Sequence, residues 1–438
     1  MEKELDSEII IIGAGPAGIS AAKYLIENGI KVLLIDKADF PRMKPCASAL
    51  SYRVLKEFPY VKNFVDTYIF SVSIHSSDLS YFINSKTDDL ENPYLGFPKS
   101  RTDFDHKMLE MIKKMDCRVI TKEEVINIEK NDYWIKAYTN KGNTYSGLAI
   151  IGADSAVSTV AKICKMGFYD PRRKAKKRKE LNYGIEQEVY YDNSIIQNIE
   201  HIEPHTVQVF FHYDNFKGYC WHFPRSIGTN IGVFSQITKG HETINILKKF
   251  RRVLIERKYF PKEIAEDNLE SIKYVGAVIP ASKPYKNISD DRIVLIGDAG
   301  GFCSPLTGEG IYFSMMSGKI AGSILSMYVK AYRKMKNKVK DDAILKHIFS
   351  KKNLKKFNKE AKKAIGNELA MHFFARKIFM NKKNYDTALR WAKENKRITD
   401  LFINFMLGKE SYKYVLIKII IQVLKSKMKR KRKKFTLN

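Results

Sequence analysis

Three glycines near the N-terminus have the spacing of a phosphate-binding turn. The segment Gly13-Ala-Gly-Pro-Ala-Gly18 follows a run of isoleucines and precedes a helical pattern. In such a turn Gly13 permits the tight bend, Gly15 lets the backbone approach a pyrophosphate, and Gly18 lets helix and strand pack closely. Asp36 ends the next apolar strand, where an acid can hydrogen-bond a ribose diol. The pattern predicts a dinucleotide site; the alternative is an ordinary strand, turn and helix.

A second glycine-rich segment follows a buried strand late in the chain. It begins with Gly297-Asp298, and the next helix is predicted to start at about Gly308, in the segment Gly308-Glu-Gly310-Ile311. An acid at a strand end can bind polyol hydroxyls. A glycine-rich helix start can stabilise negative charge on a reduced ring system. The segment therefore predicts a site for a cofactor with a reducible ring.

Together these segments resemble those of the FAD-dependent enzymes related to para-hydroxybenzoate hydroxylase. In that family the Gly-Asp motif holds the ribityl chain and the flavin, so the resemblance implies bound FAD. Arg101-Thr-Asp-Phe-Asp105 is similar to a helix start whose arginine reaches the cofactor; a surface salt bridge is the alternative for Arg101. Gly152-Ala-Asp154-Ser155 has a serine where the family has glycine. We expect Asp154 to order the fold while the backbone beside it shifts.

An aromatic segment indicates which branch of this family the chain resembles. Tyr219-Cys-Trp221-His-Phe223-Pro224 is similar to a motif of the geranylgeranyl reductases, which reduce isolated double bonds of prenyl chains. The family's proline before the tyrosine is Phe216 here. Alternation along a strand places Tyr219, Trp221 and Phe223 on one face, which would suit a long apolar chain beside a flavin. A plain aromatic core stripe is the alternative.

A cysteine loop supports the same branch. Lys44-Pro-Cys46-Ala-Ser-Ala49 resembles the Lys-x-Cys-Gly-Gly-Gly loop of that family, with the glycines replaced. We expect Ala47 to Ala49 to hold the flavin further from the backbone or to alter substrate choice. The resemblance implies that this loop and the Cys303 loop converge on the flavin. One hypothesis is therefore that Cys46 and Cys303 form a disulfide; the other is that both are unpaired core thiols.

The resemblance implies a set of site residues. Cys46, Tyr219 and Trp221 would form the face shared by substrate and flavin. Hydride would pass from reduced FAD to one carbon of a double bond, and Cys46, Tyr219 or water would supply the proton. The cofactor-binding residues would be Gly13, Gly15, Ala17, Gly18, Asp36, Ala47, Arg101, Val125, Asp298, Gly308, Gly310 and Ile311.

Other ligands are less well supported by the sequence. The chain shows no cluster of cysteine, histidine and carboxylate residues that predicts a metal site. It also lacks a second glycine-rich nucleotide motif, so we expect an electron donor that docks transiently or is a protein. Reduced nicotinamide, deazaflavin and ferredoxin are the candidate donors.

The periodicity of the chain indicates the elements that hold these residues. Ile9–Ile12 and residues 31–35 and 292–296 are apolar strands, and a helix is predicted over residues 102–114 with its cap at Thr102 or Asp103. The fold class is therefore α/β: a Rossmann-type FAD-binding domain, an inserted antiparallel β-sheet substrate domain and a C-terminal helical region. The expected boundaries are 1–54, 101–165 and 277–330 for the FAD-binding domain, 55–100 and 166–276 for the substrate domain, and 331–438 for the helical region.

The charge of the chain indicates an anionic partner. Lysine and arginine number 77 against 48 acids, a formal net charge of +29. Residues 412–424 are mostly apolar and residues 425–434 are mostly basic, which predicts an amphipathic helix and a polybasic patch on an anionic membrane surface. The alternative is a helix packed on its own domain with a solvated basic tail. Nucleic acid is disfavoured because no nucleic-acid-binding fold signature is present.

Taken together, the sequence predicts an FAD-dependent reductase. It would saturate C=C bonds of geranylgeranyl chains on membrane lipids of the archaeal ether type. The alternatives are a flavin monooxygenase or quinone-linked dehydrogenase of the same fold, or a non-catalytic flavin-binding membrane-associated protein. Because no apolar stretch reaches about 18 residues, no signal peptide is evident and the 5 cysteines are scattered, we expect a cytoplasmic protein, peripheral on the inner face of the cell membrane.

Overall fold

Short strands and helices alternate along the chain. The structure, a computed structural model, describes residues 5–173, 181–191, 205–235, 240–259, 273–336 and 347–410, with Tyr414 and Lys418. The strands are β1 (Ile9–Ile12), β2 (Val32–Ile35), β3 (Leu50–Ser51), β4 (Thr67–Ile69), β5 (Ser71–His75), β6 (Phe82–Lys86), β7 (Leu95–Phe97), β8 (Arg118–Ile120), β9 (Val125–Lys130), β10 (Ile135–Thr139), β11 (Thr144–Gly147), β12 (Ala149–Gly152), β13 (Asn182–Val189), β14 (Thr206–Phe211), β15 (Gly218–Pro224), β16 (Thr229–Ser235), β17 (Val275–Ile279), β18 (Ser289–Asp290) and β19 (Ile293–Leu295). The helices are α1 (Pro16–Glu27), α2 (Tyr52–Glu57), α3 (Arg101–Lys113), α4 (Thr159–Ile163), α5 (Gly240–Glu256), α6 (Ile311–Lys336), α7 (Lys351–Ala361), α8 (Asn367–Phe379), α9 (Lys382–Lys393) and α10 (Lys396–Met406).

A parallel sheet forms the centre of the first core. Its strand order is β18-β19-β12-β1-β2-β8, and all neighbours are parallel except the short edge strand β18. Strands buried on both faces are continuously apolar, as the isoleucines of β1 are. Beside the sheet, helices α1 and α6 pack closely against each other. Their approach requires a glycine at position 318, because a Cβ there would stand only 2.3 Å from the carbonyl oxygen of Ala17. This is the Rossmann-like arrangement that the sequence predicts.

A larger sheet forms the second layer. Its order is β17-β13-β16-β15-β14-β5-β6, antiparallel throughout except for the parallel pair β14 and β5. The predicted antiparallel sheet is thus confirmed over β13 to β16. One face of the sheet packs on α5 through Leu247, Phe250 and Leu254. The opposite face, with its aromatic residues, packs on α9 and α10.

The start of helix α3 differs from the sequence prediction. Helix α3 begins at Arg101, and the hydroxyl of Ser100 accepts the N–H of Asp103 at 3.1 Å. The predicted cap at Thr102 or Asp103 is therefore wrong, because both residues already lie inside the helix. Helix α1 begins at Pro16, a residue whose fixed φ suits the first helical position.

The segment predicted to bind a membrane, residues 412–434, lies mostly outside the described part of the chain. Of residues 412–434, only Tyr414 and Lys418 are described. Within the described ranges, each helix is either too short or too polar to span a bilayer. The division of the chain into three domains stays a prediction.

Candidate functional site

The first glycine turn has the geometry that its spacing predicts. Gly13 has φ +108°, and a Cβ there would lie 2.4 Å from the carbonyl oxygen of Ala153. A Cβ on Gly18 would lie 1.9 Å from the carbonyl oxygen of Gly13, so this close packing of helix and strand also requires glycine. Around Gly15, by contrast, the nearest atom to such a Cβ is Arg42 Nη2 at 3.7 Å. The backbone of Gly15 is therefore open to a ligand at the start of α1.

The buried carboxylate of Asp36 lies next to this turn. Its Oδ2 accepts the N–H of Ala14 at 2.7 Å and its Oδ1 accepts the N–H of Ala38 at 2.8 Å. Each carboxylate oxygen has a second acceptor position, so Asp36 retains capacity for ribose hydroxyls. Val125 begins the neighbouring strand β9 and is buried in the same core. The N–H of Glu123, two residues earlier, donates to the carbonyl of Asp36.

A cavity of about 280 Å³ brings most of the other predicted residues together. Its wall draws on the parallel sheet, the larger sheet and the C-terminal helices. Gly13, Gly18, Asp36 and Val125 are not part of its lining. The predicted residues that line it are Gly15, Ala17, Cys46, Ala47, Arg101, Tyr219, Trp221, Asp298, Gly308, Gly310 and Ile311.

The second glycine segment forms one side of the cavity. Gly297 and Gly308 have φ of +56° and +70°, a region that glycine adopts without strain. A Cβ on Gly310 would meet nothing closer than Asp298 Oδ1 at 3.7 Å, so the backbone there faces open space. Helix α6 starts at Ile311, three residues later than Gly308, where the sequence had placed its start. Its positive end therefore faces the cavity beside the Asp298 carboxylate.

The Asp154 turn confirms part of the expectation for this segment. The Asp154 carboxylate accepts the hydroxyl of Ser158 and the N–H of Val160, while Ser158 caps α4. Burial raises the pKa of Asp154. Ser155, which replaces the family's glycine, has φ +74° and lines the cavity. The serine thus holds a backbone conformation that favours glycine.

Arg101 is buried in the cavity wall, so its alternative as a surface salt bridge is wrong. Its side chain is only 7% exposed, and its Nε donates to Asp105 Oδ1 at 2.6 Å. Arg42 reaches the other oxygen of Asp105 at 3.1 Å. The arginine therefore contributes a fixed positive charge to the cavity.

The aromatic segment forms another wall. The rings of Tyr219, Trp221 and Phe223 follow one another on one face of β15, with centroids 6.0 and 5.9 Å apart. The indole of Trp221 lies on Gly232, where a Cβ would come within 2.1 Å of it. The hydroxyl of Tyr219 donates to the carbonyl of Thr307. The predicted aromatic face is confirmed, and it contacts the second glycine segment.

The two cysteine loops converge, but the predicted disulfide is wrong for this structure. Cys46 and Cys303 line the same cavity, and both are free thiols. The Cys303 thiol donates to the carbonyl of Gly308 at 3.4 Å, and burial raises its pKa. The hypothesis of unpaired core thiols therefore holds. No group of three metal-ligating side chains occurs among the described residues.

Sequence reasoning missed several residues of the cavity wall. Glu186 on β13 lines the cavity, and the sequence shows it only as one of two acids, Glu186 and Glu188, two positions apart on the same strand. Lys44 lines it near Asp298, and burial lowers the pKa of this lysine. Ile403 and Met406 on α10 and Leu407 just after it also line the cavity, and their spacing of three and four residues could have indicated an apolar helix face.

Comparison with known proteins agrees with this geometry. Residues 7–153 match the model of the pyridine nucleotide-disulphide oxidoreductase family. The digeranylgeranylglycerophospholipid reductase of Methanocaldococcus jannaschii is 27% identical over an alignment of 336 positions that covers 74% of this chain and 78% of that protein. The chain is a relative of the geranylgeranyl reductases. It is an FAD-dependent oxidoreductase.

Solved structures share the fold of this chain. A geranylgeranyl bacteriochlorophyll reductase-like protein from Thermoplasma acidophilum superposes with a TM-score of 0.74 at 19% identity, over 94% of this chain and 98% of that one. A variant of HpxO from Klebsiella pneumoniae in complex with FAD superposes with a TM-score of 0.61 at 16% identity, over 92% and 98% of the two chains. The chain therefore shares the fold of these two proteins.

Proposed function

We propose that this oxidoreductase saturates C=C bonds of geranylgeranyl chains on membrane lipids. The observation that supports this most is that one cavity joins the flavin motifs to an aromatic and aliphatic wall. The curated relative from Methanocaldococcus jannaschii carries the name of such a reductase. A flavin and an apolar chain could therefore meet inside one site.

The residues of the site fit FAD. We propose that Gly15 and the start of α1 hold the pyrophosphate, while Asp36 binds the ribose and Asp298 binds the ribityl hydroxyls. Gly308 and Gly310 leave the backbone at the start of α6 open, so its N–H groups can stabilise negative charge. Bound FAD, once reduced, supplies a hydride.

The rest of the cavity wall suits a prenyl chain. Aliphatic side chains of the larger sheet, such as Val72, Ile74 and Val209, stand beside the aromatic face of β15. Met406 and Leu407 close the wall from the C-terminal helix. Such a surface excludes water and offers an isoprenoid dispersion contacts along its length.

We further propose that the protein works at the cytoplasmic face of the cell membrane. The basic residues of 425–434 would attract anionic lipid headgroups, and the apolar residues of 412–424 would enter the interface. The lipid substrate would then reach the cavity without leaving the bilayer. The electron donor would be reduced nicotinamide, deazaflavin or ferredoxin, docking transiently.

One anaerobic experiment tests this function. The purified holoprotein is reduced with dithionite and mixed with liposomes that contain geranylgeranylated glycerophospholipid. We expect flavin reoxidation to match a gain of two hydrogen atoms per reduced bond in the lipid mass spectrum. Flavin that stays reduced beside unchanged lipid would overturn the proposal. Oxygen uptake with a phenolic substrate, or electron flow to a quinone, would then identify a monooxygenase or a dehydrogenase.

A further inference from the structure

A buried carboxyl group faces the same cavity as the flavin motifs. Glu186 lies on β13, is 5% exposed and lines the cavity together with Cys46 and Trp221. Its Oε1 accepts the backbone N–H of Cys46 at 2.6 Å. The cysteine loop therefore fixes one oxygen of the carboxyl, and the other oxygen can carry a proton.

The surroundings of Glu186 favour its protonated form near neutral pH. Burial, followed by the charge of Glu188, raises the pKa of Glu186 to about 7. The N–H of Cys46, the charge of Arg225 and the amide of Asn230 act in the opposite direction. A group with such a pKa can both give and regain a proton at physiological pH.

A hydrogen-bond network holds Glu186 beside the aromatic face. Asn230 donates from Nδ2 to Glu188 Oε1 at 2.9 Å. The Oδ1 of Asn230 accepts the indole N–H of Trp221 at 2.6 Å. Arg225 reaches Glu188 at 3.4 Å and donates to the carbonyl of Ala47 at 2.6 Å. Hydrogen bonds thus connect Glu186 and the indole of Trp221 to the same loop of Cys46 and Ala47.

The cavity wall carries basic and acidic side chains besides Glu186, and the acids Asp298 and Glu309 belong to the second glycine segment. Lys44 and Arg101 line the cavity from the flavin side, and Glu188 and Arg225 flank Glu186 on the larger sheet. Tyr219, the other acidic group of the aromatic face, donates its hydroxyl to the carbonyl of Thr307. Burial also raises the pKa of Tyr219. Glu186 is thus better placed than Tyr219 to give up a proton.

Reduction of an isolated double bond needs a proton as well as a hydride. We infer that Glu186 is the general acid of the proposed reduction. Its O–H bond breaks as a C–H bond forms at one alkene carbon, while hydride from reduced flavin forms the C–H bond at the other. The lipid thus gains two hydrogen atoms and no net charge, the flavin is oxidised, and the Glu186 carboxylate is reprotonated from water. This inference rests on the proposed prenyl reduction.

The test compares Glu186→Gln with Glu110→Gln, an exposed acid on α3. Each holoprotein is reduced with dithionite and mixed with the liposomes described above in a single turnover. We expect Glu186→Gln to slow lipid saturation by about 100-fold or more, the range for a lost general acid. The Glu110→Gln variant should match wild type, and all three proteins should bind FAD with equal affinity and spectrum.

A pH profile and an infrared titration add readouts that a purely structural role would not move. Wild-type turnover should fall as pH rises through about 7, because the acid loses its proton. In Glu188→Gln this fall should move to lower pH, because the neighbouring negative charge is gone. In infrared difference spectra of the resting holoprotein, one carboxylic C=O band should disappear with the same midpoint and be absent from Glu186→Gln.

The outcomes separate the two proposals. Wild-type turnover with an unimpaired Glu186→Gln variant, or with an unshifted profile in Glu188→Gln, would overturn the role of Glu186 and leave the prenyl reduction standing. A wild-type protein that saturates no prenyl lipid would overturn the proposed function. The absence of a titrating C=O band near neutral pH would overturn the acid assignment whatever the turnover.

Discussion

At the scale of single residues, one turn holds a serine in a backbone conformation that favours glycine. Ser155 has φ +74°, where an L side chain costs about 1–2 kcal/mol relative to glycine. We therefore expect Ser155→Gly to raise the free energy of unfolding by about 1 kcal/mol, measured by urea denaturation of the apoprotein. The matched control is Ser323→Gly on the exposed side of α6, which should lower it by about 0.5–1 kcal/mol. Equal effects at both positions would contradict the strain at Ser155.

The raised pKa of Glu186 has a consequence for stability. Folding raises the pKa from 4.5 to about 7, so the protonated form favours the fold. That contribution is complete below pH 4.5 and is lost as pH rises through 7. Glutamine cannot ionise, so Glu186→Gln should equal wild type near pH 4 and exceed its unfolding free energy at pH 8 by roughly 3 kcal/mol.

Denaturant titrations of the apoprotein at both pH values measure this difference. Glu110→Gln is the control, because Lys113 lowers the pKa of Glu110 and its replacement should lose stability at pH 8. A Glu186→Gln variant that gains nothing at pH 8 would show that Glu186 ionises as easily as an exposed acid.

At the scale of elements, an ion-pair cluster ties the flavin segment to the C-terminal helices. Arg53 on α2 pairs with Glu309, which precedes α6, and with Glu368 on α8. All three side chains are mostly buried, and the guanidinium lies 4.0 Å from the ring centroid of Tyr312. Although burial opposes it, the two carboxylates raise the pKa of Arg53. The cluster therefore fixes the segment beside Gly308 and Gly310.

Removal of one partner from such a cluster leaves uncompensated buried charge. We expect Arg53→Met to lower the free energy of unfolding by about 3 kcal/mol and to weaken FAD binding. Denaturation of the apoprotein and FAD titration by fluorescence measure the two effects. Lys113→Met, which breaks the exposed pair with Glu110, should change stability by less than about 1 kcal/mol and leave FAD affinity unchanged. Equal FAD affinity in wild type and Arg53→Met would contradict the role of the cluster.

Elements whose structure depends on residues close together in the chain could be predicted from the sequence. The turn from Gly13 to Gly18 and the aromatic stripe of β15 depend on neighbouring residues and on strand alternation, and both occur as predicted. Glu186 and Met406 could not be assigned to the cavity in this way. Their place depends on how β13 and α10 dock against segments more than 100 residues away in the chain, which periodicity does not encode.

At the scale of the whole molecule, the position of the C-terminal helices changes the meaning of the basic region. The sequence presented residues 331–438 as a basic helical region with an anchor. Helices α9 and α10 also complete the apolar core around the aromatic face, and Ile403 reaches the cavity. A region that lines the cavity and precedes the proposed membrane-binding segment would deliver a lipid chain directly into the site.

The charge of the tail makes this proposal testable by vesicle binding. Each basic residue near an anionic bilayer contributes about 1 kcal/mol, so four neutral substitutions in the tail should weaken binding by up to roughly 1000-fold at low salt. The tail variant carries glutamine in place of Lys429, Arg430, Lys431 and Arg432. The matched variant has four lysines of α7 and the turn after it replaced by glutamine, Lys352, Lys355, Lys359 and Lys363, all exposed.

Sedimentation with vesicles that contain phosphatidylserine, against vesicles of phosphatidylcholine alone, measures the binding of both variants. We expect the tail variant to lose its preference for the anionic vesicles and the α7 variant to keep most of it. Because salt screens charges over about 10 Å at 0.1 M, the wild-type preference should weaken as salt rises. Equal losses in both variants would mean that total charge, rather than the tail, holds the protein at the membrane, and the delivery route through the C-terminal helices would lose its support.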